Sequence, residues 1–204
     1  MRKPFIAVVI AVLIGIFAIP AIAGNPSYPG ASAFWESSET LASGAIRSTY
    51  YSVNIYGGTD GSFVDVYKDI STCEPGSDPK DTNCTDEFSQ GEVPLSAAVF
   101  SMDRKRLTRA HLDAVIPMQS YGLDWEPVGS PSPTHVVVDW TGTGDLNTDR
   151  FTYVHRDAHQ TIRERFRGSN REASAAGTLG DTRLGTTSDG YLGLSKDRYV
   201  TRTR

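Results

Sequence analysis

Residues 134–140 read Thr-His-Val-Val-Val-Asp-Trp and open a stretch of β-rich sequence that extends to residue 179. Residues 141–150 are rich in Gly, Thr and Asp, and residues 168–170 read Gly-Ser-Asn, so both segments have the composition of turns. The runs with strand composition cover residues 134–140, 151–156, 161–167 and 171–179. Short β-rich runs bounded by turn residues are typical of successive antiparallel strands, so this stretch predicts a β-meander.

The pattern continues towards the amino terminus. Residues 41–56 contain a strand in which residues 51, 53 and 55 alternate with residues 52, 54 and 56, and residues 63–70 return after a Gly-rich turn, which predicts a hairpin. Residues 97–104 and 109–118 predict two more strands with a turn near Lys105, and a single helix over residues 101–114 is the alternative. The strand interpretation is favoured because five apolar residues recur at period two: Ala110, Leu112, Ala114, Ile116 and Met118.

These runs predict an all-β protein with little helix. About eight to ten strand candidates at short spacing favour an antiparallel β-sandwich, with a small β-barrel as the alternative. The chain has 204 residues, enough for a single core. We expect one β-rich domain over residues 34–204, preceded by a flexible leader over residues 24–33 and ending in a weakly ordered tail after Leu179.

The first residues have the pattern of an export signal. Arg2 and Lys3 precede an apolar run over residues 5–19, and small residues follow at the positions that a signal peptidase reads. The pattern predicts a signal peptide, residues 1–23, that is cleaved from a secreted or periplasmic protein. In an oxidising compartment the two cysteines, Cys73 and Cys84, are expected to form a disulfide across the Pro- and Gly-containing loop between them.

Asp145, Asn147 and Asp149 have the Asp-x-Asn-x-Asp spacing that opens a calcium-binding loop. Oxygen ligands at alternate positions can converge on one hard cation, so calcium is a candidate ligand here, although we expect no cofactor. The rest of an EF-hand is missing, because Arg150 stands where the loop glycine belongs. An ordinary turn, whose Asp and Asn side chains bond their own backbone, is the alternative.

Arg163, Arg165 and Arg167 alternate with Ile162, Glu164 and Phe166, so a strand places the three arginines on one face. Such a row can bind an anionic polymer. The alternative is a solvated, charged face that prevents pairing between sheet edges.

Aromatic residues are candidates for a flat platform that stacks on sugar rings. Trp140 ends a Val run and is expected in the core, whereas Trp125 lies between Asp124 and Glu126 in a connector and is expected to be exposed. The candidates are Trp35, Tyr121, Trp125, Trp140 and Tyr191.

No nucleophile elbow, zinc-protease motif, phosphate-binding loop or dinucleotide fingerprint is present in the sequence. The net charge of −4 gives no reason to expect nucleic acid as a partner. We therefore expect a non-catalytic domain that binds an extracytoplasmic glycan, envelope polymer or protein. The alternatives are a small secreted hydrolase that uses acidic residues such as Asp124 and Glu126, and a structural or assembly protein of the cell surface.

Overall fold

The structure, a computed structural model, describes residues 27–58, 61–75, 84–122, 124–156 and 160–203, with residues 58 and 197–203 described by their backbone alone. The predicted signal peptide lies outside these residues. Within them the chain forms ten strands and one 3-10 turn, Leu95–Ala97. The strands are β1 Ser27–Thr40, β2 Ile46–Gly58, β3 Gly61–Cys73, β4 Cys84–Pro94, β5 Val99–Met102, β6 Arg109–Tyr121, β7 Pro127–Gly142, β8 Asn147–Arg156, β9 Gln160–Leu179 and β10 Thr182–Thr203.

All of these strands belong to one antiparallel sheet, so the predicted all-β class is confirmed. The sheet closes on itself: the order β10-β1-β2-β3-β4-β6-β7-β9 returns to β10 through a β9–β10 pairing. Among the described residues, β5 pairs only with β6, and β8 pairs only with β9. Closure of the sheet corresponds to the second of the two architectures expected from the sequence, in which one sheet forms a ring around a single core.

The core fills the inside of this ring because each strand turns alternate side chains inward. On β6 the five predicted apolar residues are all buried, and on β7 the residues Val136, Val138 and Trp140 face them. β5 and β6 are strands, so the strand interpretation of residues 97–118 is confirmed and the helix is absent there. The turn between them is organised by Asp103, whose Oδ1 accepts hydrogen bonds from the amides of Lys105 and Arg106 at 3.0 and 3.1 Å.

Two terminal predictions differ from the structure. The leader expected over residues 24–33 is a strand from Ser27 onwards, because Ala31 and Ala33 are small enough to lie buried against the core between β10 and β2. The tail expected to be weakly ordered after Leu179 forms β10, which pairs with β9 on one side and β1 on the other. Both segments therefore contribute to closing the ring.

The stretch from residue 134 to 179 also differs in detail from a simple meander. The loop predicted over residues 141–150 is only residues 143–146, because β7 and β8 extend into it. The turn predicted at residues 168–170 is absent, and β9 runs through it without interruption. β7 and β8 lie end to end along the same edge of β9, so hydrogen-bonding partners on both sides override the turn propensity of Gly168 and Asn170.

The predicted disulfide between Cys73 and Cys84 is confirmed, and it joins directly opposed positions on β3 and β4. Nowhere in the described residues does a helix have the length and apolar character that a bilayer-crossing helix requires.

Candidate functional site

The outer face of β1, β2, β3, β4 and β6 carries two neighbouring rows of side chains. The register places Phe34, Ser52, Tyr67, Gln90 and Gln119 in one row. It places Glu36, Tyr50, Asp69, Phe88 and Tyr121 in the next. Aromatic and hydrogen-bonding residues alternate within and between these rows. The rings therefore form a zigzag across the strands, with polar groups in the spaces between them.

The rings contact one another in sequence across the sheet. Centroids are 6.3 Å apart for Phe34 and Tyr50, 5.8 Å for Tyr50 and Tyr67, and 4.6 Å for Tyr67 and Phe88. Phe88 then stacks on Tyr121 at 5.3 Å and meets the edge of Trp125 at 5.1 Å. All five distances lie in the range of favourable aromatic pairs. We call Phe34, Tyr50, Tyr67, Phe88, Tyr121 and Trp125 the aromatic strip.

Trp125 ends the strip and is the most exposed of its rings, with 69% of its surface accessible. Its φ of 64° lies in the left-handed region, which costs a residue other than glycine about 1–3 kcal/mol. A tight turn imposes this conformation: the amide of Trp125 donates to the Gly122 carbonyl, and the amide of Gly122 donates to the Glu126 carbonyl, both at 3.0 Å. Asp124 Oδ1 accepts a hydrogen bond from the Glu126 amide at 3.2 Å. The turn holds a large apolar ring in solvent, which is a feature of binding surfaces.

Polar groups between the rings are positioned by the same register. The Tyr67 hydroxyl donates to Asp69 Oδ2 at 3.4 Å, and Gln90 Nε2 donates to Asp65 Oδ1 at 3.0 Å. Burial raises the pKa of Asp69, and the nearby Asp86 carboxylate raises it further. Burial likewise raises the pKa of Tyr67, and the charge of Asp69 adds to the effect. The phenol therefore stays protonated at neutral pH and remains a hydrogen-bond donor.

The charge of this surface has one sign. The outward positions of β1 to β4 carry five carboxylates, Glu36, Asp65, Asp69, Asp86 and Glu92. None of the described outward positions on these four strands is Lys or Arg. An anionic ligand would meet repulsion here, whereas carboxylates are suitable acceptors for the hydroxyl groups of a neutral ligand.

Of the aromatic residues proposed from the sequence, Tyr121 and Trp125 lie together on the aromatic strip. Trp35 and Trp140 are core residues with 7% and 1% of their surface exposed, and each donates its indole hydrogen to a backbone carbonyl. Tyr191 is 43% exposed and belongs to β10, which does not carry a strip residue. The sequence alone does not indicate the other four strip residues, because only the strand register shows that Phe34, Tyr50, Tyr67 and Phe88 are neighbours.

Arg163, Arg165 and Arg167 are exposed on β9, where Ile162, Glu164 and Phe166 are half-buried. The predicted alternation is therefore confirmed, and the binding role stays a prediction.

The calcium site also stays a prediction. Asn147 and Asp149 lie in β8 rather than in a loop, and Asp145 precedes that strand. Among the residues that the structure describes, no three His, Cys, Asp or Glu side chains are grouped closely enough to hold a metal.

A Ser-His-Asp row crosses the outer face of β5, β6 and β7, where Ser101 is opposite His111 and His111 is opposite Asp139. His111 Nδ1 lies 2.8 Å from Asp139 Oδ1, beside an open concavity of about 470 Å³. In the described part of the chain Ser101 makes no hydrogen bond to His111. The row therefore contains the His–Asp contact of a nucleophilic site but not the Ser–His hydrogen bond.

Comparison of the chain with protein-family models, with curated proteins and with solved structures finds no match.

Proposed function

We propose that the protein is a non-catalytic binding domain for a neutral glycan outside the cytoplasm, and that the aromatic strip is the binding face. The observation that carries the proposal is the exposed ring of Trp125, held by a strained turn at the end of a continuous line of rings. The location follows from the export signal predicted over residues 1–23.

The chemistry of the strip suits a sugar chain. Aromatic rings stack on the apolar faces of pyranose rings, while the hydroxyl groups at the edge of each sugar require hydrogen-bonding partners. Asp69 and Gln90 lie between rings of the strip, and their side chains supply hydrogen-bond acceptors and donors for these hydroxyl groups. Since the strip crosses five strands that are about 4.8 Å apart, it is long enough for an extended chain rather than one monosaccharide.

The absence of Lys and Arg from the described outward positions of β1 to β4 favours a neutral glycan over an acidic one. A protein partner is less well supported, because the strip alternates rings with carboxylates rather than forming a continuous apolar patch.

The proposal is tested by screening residues 24–204 against an array of neutral oligosaccharides and by measuring Kd for the best ligand. We expect Trp125→Ala to weaken binding by at least about fivefold, because one aromatic stacking contact contributes about 1–3 kcal/mol. Tyr153→Ala is the matched control, since Tyr153 is 58% exposed but lies on β8 away from the strip.

Unchanged binding by the Tyr153 variant and loss by the Trp125 variant would support the proposal. Binding that is equally strong in both variants, or the absence of binding to any neutral glycan, would contradict it.

A further inference from the structure

A second surface, chemically opposite to the aromatic strip, lies on the three-stranded extension formed by residues 147–156, 160–170 and 193–203. We call this extension the arm. Here β9 is the central strand, paired with β8 on one side and β10 on the other. Because directly opposed residues of antiparallel strands share a face, the register defines two faces of the arm.

One face of the arm is basic. Arg167 lies between Arg150 and Lys196 in the register, Arg165 lies opposite Thr152, and Arg163 lies opposite Val154. The exposed cations on this face are Arg150, Arg156, Arg163, Arg165, Arg167 and Lys196. None of them forms an ion pair with another described residue. No Asp or Glu occupies a described position on this face.

The other face of the arm carries the aromatic residues. Phe151 stacks on Phe166 with ring centroids 4.7 Å apart, and Tyr153 lies opposite Glu164. Cations and rings are thus separated onto opposite sides of one sheet.

Protection of a free edge does not account for the arginines. Charges that prevent edge-to-edge pairing belong on an edge strand, and among the described residues the edge strands of the arm are β8 and the part of β10 after Lys196. Arg163, Arg165 and Arg167 lie on β9, whose backbone is already paired on both sides. Like charges at neighbouring positions repel, so this arrangement is unfavourable unless an anion compensates it.

We propose that the basic face of the arm binds a linear acidic polysaccharide, at a site independent of the aromatic strip. Alternate residues on β9 are about 7 Å apart, so the arginines present a regular line of charge. Guanidinium groups bind carboxylate or sulfate groups through paired hydrogen bonds.

The separation of rings from cations distinguishes this ligand from other polyanions. Single-stranded nucleic acid is bound by grooves that combine cations with stacking rings, and an anionic membrane surface is bound by faces that combine cations with large apolar residues. Within the described part of the arm, every aromatic ring lies on the face opposite the arginines.

The experiment measures binding of polygalacturonate to the full mature chain at low and high salt. We expect Arg163→Gln/Arg165→Gln to raise Kd by at least about tenfold and to reduce the dependence of Kd on salt, because two charges are removed from the contact. The control pair, Arg47→Gln/Arg183→Gln, removes the same charge from the β2 start and the β9–β10 turn, at the opposite end of the ring. It is expected to bind like the wild type.

Circular dichroism of each double variant tests whether Arg163→Gln/Arg165→Gln is folded like the control. The proposal is overturned if the two pairs lose binding equally, if the wild type does not bind polygalacturonate, or if it binds an oligonucleotide or anionic phosphatidylglycerol vesicles more tightly. Trp125→Ala should retain polygalacturonate binding, so failure of this proposal is distinguishable from failure of the neutral-glycan proposal.

Discussion

At the scale of single residues, Trp125 adopts a backbone conformation that lowers the stability of the fold. A φ of 64° suits glycine, yet the position holds the largest side chain, and most of that side chain is in solvent. Its contact with Phe88 recovers only part of the conformational cost. The binding role proposed for the aromatic strip would account for a strained and exposed tryptophan in this turn.

The strain predicts that glycine stabilises the fold more than alanine does at position 125, which is the reverse of the usual order. Trp125→Gly and Trp125→Ala both remove the ring, but only glycine relaxes at a positive φ. We expect the glycine variant to be more stable than the alanine variant by about 1 kcal/mol, as measured by urea unfolding. Equal stability, or greater stability of the alanine variant, would show that the turn is not strained.

At the scale of strands, β9 shows how far the sequence determines this fold. The alternation of Arg163, Arg165 and Arg167 was predictable, because period-two patterns identify a strand whatever its partners are. The continuity of β9 through Gly168 was not predictable. Gly168 is buried beside Phe166, and hydrogen bonds from two neighbouring strands replace the turn that its local sequence favours.

Closure of the ring predicts a strong effect at Gly177 on β9. A Cβ atom at this position would lie 2.1 Å from the Val137 carbonyl oxygen of β7, and backbone cannot move aside as a side chain can. We expect Gly177→Ala to lower the free energy of unfolding by about 3 kcal/mol. The measurement is chemical denaturation.

Gly185→Ala on β10 is the control for this prediction, because no atom lies within 4 Å of the Cβ that it would add. It should change stability by no more than about 0.5 kcal/mol. Similar stabilities for the two variants would contradict the close approach of β7 and β9.

At the scale of the whole molecule, the ring brings together residues that are distant in the chain. Phe34, Tyr50, Tyr67 and Phe88 are each on a different strand, and no local pattern in the sequence connects them. Trp125 and Tyr121 were predictable because they are close in sequence and flanked by polar residues. The remaining strip residues required the register of the successive antiparallel pairings from β1 to β6.

The molecule also separates charge over long distances. The aromatic strip lies among carboxylates on β1 to β4, whereas the cations of the arm lie on β8, β9 and β10. The net charge of −4 conceals this separation, because a sum over the whole chain does not show a local row of cations.

The central claim, that a glycan covers the aromatic strip, is tested most directly by acrylamide quenching of tryptophan fluorescence. Of the three tryptophans, Trp35 and Trp140 are 7% and 1% exposed, so quenching reports almost entirely on Trp125 at 69%. A saturating neutral oligosaccharide selected on the array should reduce the quenching constant severalfold. Binding of that oligosaccharide with no change in the quenching of Trp125 would contradict the account.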